Sequence, residues 1–333
     1  MKIYSILRSK TAMMIIDQTL LPLQEKRIEI KDYRQMIEAI KALRIRGAPA
    51  IGLAAAGAAW LASMELEKES NFKEKLLQAI AEIELSRPTA VNLFHALNGV
   101  KEIIAKTKEE ELVFAIYEYL DSLFHYEYDS SKAMAQNGFN YIPKEYTRFL
   151  THCNTGALAT YGFGTALGVI GRIAEERQII VYADETRPLL QGARLTMWEL
   201  QKMGIPAVLI SDNMAAHTIK EHKIDCIITG ADRICKNGDT ANKIGTMNLA
   251  ILADYFKIPF YIAAPESTID RELDNGSLIK IEERNKAEVR QFGGQQTAPV
   301  ECDVFNPAFD VSPAHLIKAI ITEKKVYEYP YKF

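Results

Sequence analysis

Apolar residues recur every three to four positions in YRQMIEAIKAL, FKEKLLQAIAEIE and VNLFHALNGVKEIIAK, the spacing of helices that bury one face. Ahead of them, Met13-Met14-Ile15-Ile16 followed by DQTLLP predicts a short strand running into a turn. Between them, IGLAAAGAAWLA (Ile51 to Ala62) is apolar on every side. It predicts a buried helix of small residues, too short to cross a bilayer. KEEELVFAIYEYL predicts a further helix, with the charge run Lys106–Glu111 as its solvated face. Residues 1–125 are therefore expected to form a mostly helical domain with a short initial β segment.

The pattern changes further on. TRFLTH, QIIVYA, PAVLI, DCIIT, PFYIAA and VECDVF are short apolar runs, with helical stretches such as LLQGARLTMWELQKM and NKIGTMNLAILADYF between most of them. That alternation predicts an α/β domain with a mostly parallel sheet and crossover helices over residues 126–333. The stretch FHYEYDSSKAMAQNGFNY shows no clear period and marks the boundary, and the final VYEYPYKF is expected to pair with another element. Ligands of open parallel sheets bind beyond the carboxyl ends of strands. That rule selects HCNTG, DETRPLLQGAR, GADR and APEST, each rich in reactive or anion-binding groups.

Composition narrows the class of function. The chain has 333 residues, 48% hydrophobic and 25% charged, with a formal net charge of -3. No whole-molecule charge favours nucleic acid or an anionic membrane, so neither is expected as a partner. Four scattered cysteines without CxxC spacing read as reduced thiols of a cytoplasmic protein, and MKIYSILRSK lacks the apolar core of an export signal. GxxxxGK[ST], HExxH and GxSxG are absent, and no histidine has metal-ligand spacing to a carboxylate, so no metal is expected. Gly162, Gly164 and Gly168, with Asp184 downstream, have the wrong spacing for a dinucleotide fingerprint and are expected to be helix-packing glycines.

The candidate chemistry centres on Cys153 and Asp232. Cys153 falls where a strand is expected to pass into a helix, whose exposed N–H groups and dipole favour a thiolate. Asp232 follows DCIIT and is expected in a cleft with apolar walls, where the acid form is favoured. Either residue has a plainer alternative: a small core thiol, or a carboxylate capping a helix or paired with Arg233. Cys226 and Cys302 lie in apolar strand patterns and are expected in the core. Arg46, Gly47 and Ala48 open the alanine-rich helix, and Arg87 precedes Pro88-Thr89 at another expected helix start. Gln191 and Arg194 follow QIIVYA, and Asn242 and Lys243 are placed at the head of a helix. Together these groups suit an anionic, polyhydroxylated ligand.

RGAPAIG, SRPTAVNL, THCNTGALATYGFGTALGVI, YADETRPLLQGARLTMWEL, GADRICKNGDTANKIGT, AAPESTID and NPAFDVSP, in this order and after DQTLLP, resemble methylthioribose-1-phosphate isomerases. The wider superfamily includes ribose-1,5-bisphosphate isomerases and the regulatory subunits of a translation-initiation exchange factor. The resemblance implies a helical N-terminal domain, a Rossmann-like C-terminal domain, a homodimer and no cofactor. It implies catalytic roles for Cys153 and Asp232, and substrate binding by Arg46, Gly47, Ala48, Arg87, Gln191, Asn242 and Lys243. The implied reaction converts 5-methylthioribose 1-phosphate to the ketose 1-phosphate in methionine salvage. His95 and Met247 depart from the family's pattern, so a paralogue acting on 5-deoxyribose 1-phosphate remains an alternative, as does a non-catalytic regulatory protein that binds a sugar phosphate. A nicotinamide dehydrogenase would need a glycine turn directly after the first strand of the second domain, and none is present.

Overall fold

The computed structural model describes residues 3–88 and 90–333. They form two compact units. One comprises the chain up to Ser130 together with Ala157–Gly164, and the other Ser131–Gly156 with Thr165–Phe333.

The first unit opens with an antiparallel sheet of β1 (Ile6–Arg8), β2 (Met13–Ile16) and β3 (Arg27–Ile30). Met13 and Ile15 are buried while Met14 faces out, the alternation of a one-sided strand. Helices α1 (Tyr33–Lys41), α2 (Ala48–Leu66), α3 (Phe72–Glu84) and α4 (Val91–Lys106) follow the predicted segments. Every residue of α2 from Ala50 to Ser63 is buried, and the helix packs against α1, α3 and α4. At 19 residues α2 is long and apolar enough to span a bilayer by length and composition, contrary to the expectation from its central run. Its place inside the helical core accounts for that composition.

Helix α5 (Leu112–Tyr141) corrects a second expectation: the stretch without a clear period is helical throughout. Its buried positions Leu112, Ile116, Leu120 and Phe124 give way to Ser130, Ser131, Met134 and Ala135. The stripe shifts and turns partly polar in mid-helix, which hides the period from a fixed-window reading.

The second unit is built on β4 (Arg148–Thr151), α6 (Ala166–Ala174), β5 (Ile180–Asp184), α7 (Met197–Met203), β6 (Ala207–Ile210), α8 (Ala215–His222) and β7 (Cys226–Thr229). There follow β8 (Arg233–Cys235), β9 (Thr240–Lys243), α9 (Thr246–Phe256), β10 (Phe260–Ala263), β11 (Ile269–Asp270) and the short α10 (Ala287–Arg290). Last come β12 (Gln291–Phe292), β13 (Gln295–Gln296), β14 (Phe309–Ser312), β15 (Ala319–Ile321) and β16 (Val326–Glu328).

The main sheet runs β16-β15-β10-β7-β4-β5-β6, parallel except for the terminal β15–β16 pair. This is the expected α/β architecture, and VYEYPYKF supplies the edge strand β16. A smaller sheet, β11-β8-β9-β14, carries the segment after DCIIT.

Four local expectations fail. Asn242 and Lys243 end β9 rather than heading a helix, because Gly245 at φ 102° breaks the chain before α9 begins. No helix starts at Cys153; the next one, α6, begins at Ala166. VECDVF forms no strand: Val300 and Phe305 are 62% and 80% exposed, and Cys302 is only half-buried. The glycines Gly162 and Gly164 sit at φ 94° in the connection before α6, so they serve turns and not helix packing.

Candidate active site

Strands β7, β4 and β5 are adjacent and parallel, so the turns after Thr229, Thr151 and Asp184 open at one sheet edge. The first two touch. A Cβ added at Gly230 would stand 2.9 Å from Thr155 Cγ2. The candidate thiol and the candidate carboxyl therefore lie on neighbouring turns of the same edge.

Cys153 is 8% exposed and has a left-handed backbone, φ 60°. Two threonines hold it there. Its N–H donates to Thr186 Oγ1 at 2.8 Å, and its carbonyl accepts from Thr196 Oγ1 at 2.6 Å. Thr186 is itself left-handed at φ 65°, and Asp212 accepts the N–H groups of Thr186 and Arg187 at 2.7 Å each. Asn154 donates to the buried Glu199 Oε1 at 2.7 Å. The backbone of Cys153 is thus set by side chains from the segment between β5 and α7, and not by a helix start.

His152 is buried and touches three turns at once. Its Nε2 lies 2.8 Å from the carbonyl oxygen of Ile244, and its Nδ1 lies 2.8 Å from Asp184 Oδ2. A carbonyl only accepts, so Nε2 carries a hydrogen, and one further proton is shared between Nδ1 and Asp184. Burial pushes the Asp184 carboxyl up against the opposing pull of His152. For His152, burial disfavours the charged ring, but the hydrogen bond and charge of Asp184 outweigh it, with help from Asp212 and the Ile244 carbonyl. The ring therefore holds its protons to a higher pH than an isolated histidine.

Asp232 stands on the β7–β8 turn, and its N–H donates to the Ala241 carbonyl at 2.9 Å, beside Asn242. Its side chain is exposed, contrary to the expected apolar cleft. Asp232 caps no helix, since β8 follows it, and Arg233 faces Asp270 at 3.6 Å. Asn242 is buried and donates to Thr246 Oγ1 at 3.0 Å. Lys243 donates to the Ala308 carbonyl at 3.1 Å and lies over the Phe309 ring. Gln191 is buried with its Oε1 lacking a hydrogen-bond partner, an acceptor that suits a hydroxyl donor. Arg194 is half-buried, and burial lowers its affinity for its proton.

In the helical unit, Gly47 caps α2 at φ 92°, where a Cβ would meet the Ala159 backbone at 2.4 Å. Ala48 begins the helix, and Arg46 Nε donates to Gln18 Oε1 at 3.1 Å. Gln18 in turn donates to the Leu158 carbonyl at 2.8 Å. Arg87 lies in the turn between α3 and α4, half-buried; the neighbouring Thr89 is outside the described residues.

Of the four turns selected from sequence, APEST is taken up by packing. Glu266 is buried, with the Tyr327 hydroxyl donating to Oε1 and Arg271 donating to Oε2 at 2.9 Å. Sequence reasoning missed His152, Asp184, Thr186 and Thr196 as residues that shape the site. The signal within reach was position: His152, Asp184 and Thr186 lie in the selected turns and Thr196 just beyond one, but their pairing crosses 32 to 43 residues. His152, Asp184 and Asp212 have ligand atoms within 4.8 Å of one another, the spacing of a metal cluster. Both ring nitrogens and both Asp212 oxygens are already engaged, so these groups do not suit a cation as they stand.

The fold has counterparts. Residues 44–328 match the model of the Initiation factor 2 subunit family. The chain belongs to that family. Within it, a protein named methylthioribose-1-phosphate isomerase, from Thermoanaerobacter sp. (strain X514), is 51% identical over 325 residues, covering 96% of this chain and 94% of that protein. The crystal structure of 5-methylthioribose 1-phosphate isomerase from Pyrococcus horikoshii OT3 superposes with a TM-score of 0.92 at 38% identity, covering 99% of this chain and 93% of that one. The structure described as translation initiation factor eIF-2B, subunit delta, from A. fulgidus gives 0.89 at 38% identity, covering 99% and 97%.

Proposed function

We propose that this family member is an aldose–ketose isomerase that converts 5-methylthioribose 1-phosphate to 5-methylthioribulose 1-phosphate, a step of methionine salvage. The observation that carries the reading is the placement of Cys153 and Asp232 on touching turns of one sheet edge, in a chain half identical to proteins bearing that name.

In the proposed sequence, Asp232 protonates the ring oxygen as the C1–O4 bond breaks. The Cys153 thiolate removes the C2 proton to give an enediol phosphate and returns that proton to C1. The C2 hydroxyl proton goes back to Asp232, leaving a ketone at C2, a methylene at C1 and a hydroxyl at C4. No cofactor enters. Substrate binding is assigned to Arg46, Gly47, Ala48, Arg87, Gln191, Asn242 and Lys243. A direct hydride shift would give the same product without exchange, so incorporation of solvent deuterium at C1 separates the two routes.

We further propose a homodimer in the cytoplasm. The exposed stripe Met247, Ile251 and Tyr255 on α9, spaced four residues apart, supports the homodimer, and the four free cysteines suit a reducing compartment.

The test is turnover of methylthioribose 1-phosphate, 5-deoxyribose 1-phosphate and ribose 1,5-bisphosphate by wild type, Cys153→Ala and Asp232→Asn. Ketose formation abolished by both substitutions supports the reaction, and the preferred sugar settles the 5′ group left open by His95 and Met247. Binding without turnover of any of the three favours the regulatory reading, which the likeness to the eIF-2B subunit delta structure keeps in view.

A further inference from the structure

The imidazole of His152 joins three strand ends of the α/β unit through side-chain atoms. It follows β4 directly, and the next residue is Cys153. Its Nδ1 meets Asp184 at the end of β5, and its Nε2 meets the Ile244 carbonyl just beyond β9. The β9 strand carries Asn242 and Lys243, and the Ala241 carbonyl receives the Asp232 N–H. A single ring therefore ties the cysteine turn to the corner that holds Asp232, Asn242 and Lys243.

The fit leaves no slack. Gly245 stands at φ 102°, and a Cβ there would lie 2.8 Å from His152 Cε1 and 3.0 Å from Nε2. Behind the same turn, Asp310 accepts from the Gly245 and Met247 N–H groups at 2.7 and 3.0 Å. Asp184 Oδ1 is buried without a hydrogen-bond partner. A carboxylate so placed is costly unless its charge is shared, which the proton held with His152 achieves. The charged groups facing the pair are Asp212 and Glu185 beside Asp184, and Asp310 beside His152.

We propose that His152 and Asp184 are positioning residues for the isomerase reaction: a buried imidazole–carboxyl pair, sharing one proton, that fixes the Cys153 turn against the turn bearing Asn242 and Lys243. The proposal rests on the reaction assigned above. Neither residue needs to touch substrate. The pair acts through the peptide bond to Cys153 and through the Ile244 carbonyl.

Two substitutions at one position separate placement from simple loss of a buried group. Asp184→Ala removes the partner of Nδ1. Asp184→Asn offers an amide N–H to Nδ1 and leaves the Nε2–H bond to Ile244 in place. Each variant is assayed for isomerisation, for thermal melting, and for the rate at which iodoacetamide modifies Cys153, read on its peptide by mass. Asp184→Ala is expected to lose about a hundredfold in kcat and to speed Cys153 modification, while Asp184→Asn stays within about tenfold of wild-type kcat and modifies at the wild-type rate.

The proposal is overturned if Asp184→Ala, folded by its melt, stays within about threefold of wild type in both readouts, or if Asn restores nothing that Ala loses. Should Asp184→Ala fail to fold, His152→Asn takes its place. Its short amide cannot reach both partners, so equal kcat in His152→Asn and Asp184→Asn overturns the proposal. Wild-type inactivity on all three sugar phosphates defeats the assigned reaction. The modification rates still judge the pair in that case.

Discussion

Thr186→Val removes one oxygen and keeps the side chain's shape, and its consequence can be worked through. Thr186 Oγ1 accepts the Cys153 N–H at 2.8 Å and donates to the Asp184 carbonyl at 3.1 Å. Thr186 is fully buried, so no water replaces the lost acceptor. Leaving a buried N–H without a partner costs about 1–3 kcal/mol. Valine is equally β-branched, so the strain of φ 65° remains while one of the bonds that sustains it is gone.

For a unit of this size, each kcal/mol lowers the melting temperature by about 2–4 °C, which gives a fall of roughly 2–12 °C. Cys153 would relax from its left-handed backbone, and kcat would drop about tenfold to a hundredfold with the thiol displaced. Thr196→Val is the matched control. It takes one donor from the Cys153 carbonyl and a 3.2 Å acceptor from the Asn154 amide, which keeps its bond to Glu199, and an under-satisfied carbonyl is tolerated better than an orphaned N–H, so its effect is smaller. The assay is calorimetry alongside steady-state turnover. A Thr186→Val protein with wild-type melting and wild-type kcat would refute the claim that this bond sets the thiol.

Gly47→Ala forces a Cβ onto the Ala159 backbone at positive φ and should destabilise by more than about 1–3 kcal/mol, read as lost thermal stability. Burial raises the Asp239 carboxyl, but hydrogen bonds from Asn237, Gly276 and Ala314 outweigh it and hold the pKa below its ordinary 3.8. The stability this supplies is therefore present above that value and lost as pH falls through the lower folded one. Asp239→Asn should accordingly flatten the acid side of the stability–pH curve, as measured by denaturant titration. Ile251→Glu puts a charge in the middle of the α9 stripe and should yield a monomer by light scattering with the α/β unit still folded. An Ile251→Glu protein that stays dimeric rules out α9 as the dimer face.

The helices α1 to α4 and the strands β4, β5, β7 and β10 were legible because each buries one face or both, and burial writes a period into the sequence; β6 was read from its apolar residues alone, since Val208 and Leu209 are exposed. α5 was less legible, as its buried stripe passes from Leu112 and Phe124 to Ser130 and Ser131. The short strands β8, β9 and β14 left little trace: they have three or four residues each and owe their pairing to one another. That is why Asn242 and Lys243 read as a helix head. Among the site residues, the turns were found by the strand-end rule, while the partners of Cys153 were not. Thr186 sits in a turn and Thr196 in the helical segment before α7, and nothing in the sequence links them until the fold brings their hydroxyls to the two backbone groups of Cys153.

The left-handed residues carry this difference further. Among the described residues, seven that are not glycine have positive φ. Leu43, Lys223 and Lys257 close α1, α8 and α9, and Asn71 opens α3. Helix ends account for those four, where the left-handed turn satisfies the last carbonyls or redirects the chain. Leu190 directly precedes the helical stretch 191–203 and its carbonyl accepts the Arg194 N–H, so it opens a helix as well. Cys153 and Thr186 end no helix; they lie on the turns that follow β4 and β5 and hydrogen-bond each other. Backbone strain that no helix end explains is therefore gathered at the candidate thiol, where threonine hydroxyls and the Asp212 carboxylate offset it. A cysteine that was only a small core residue would give the fold no cause to maintain such a conformation, so the strain itself argues that the position of this thiol is what the network preserves.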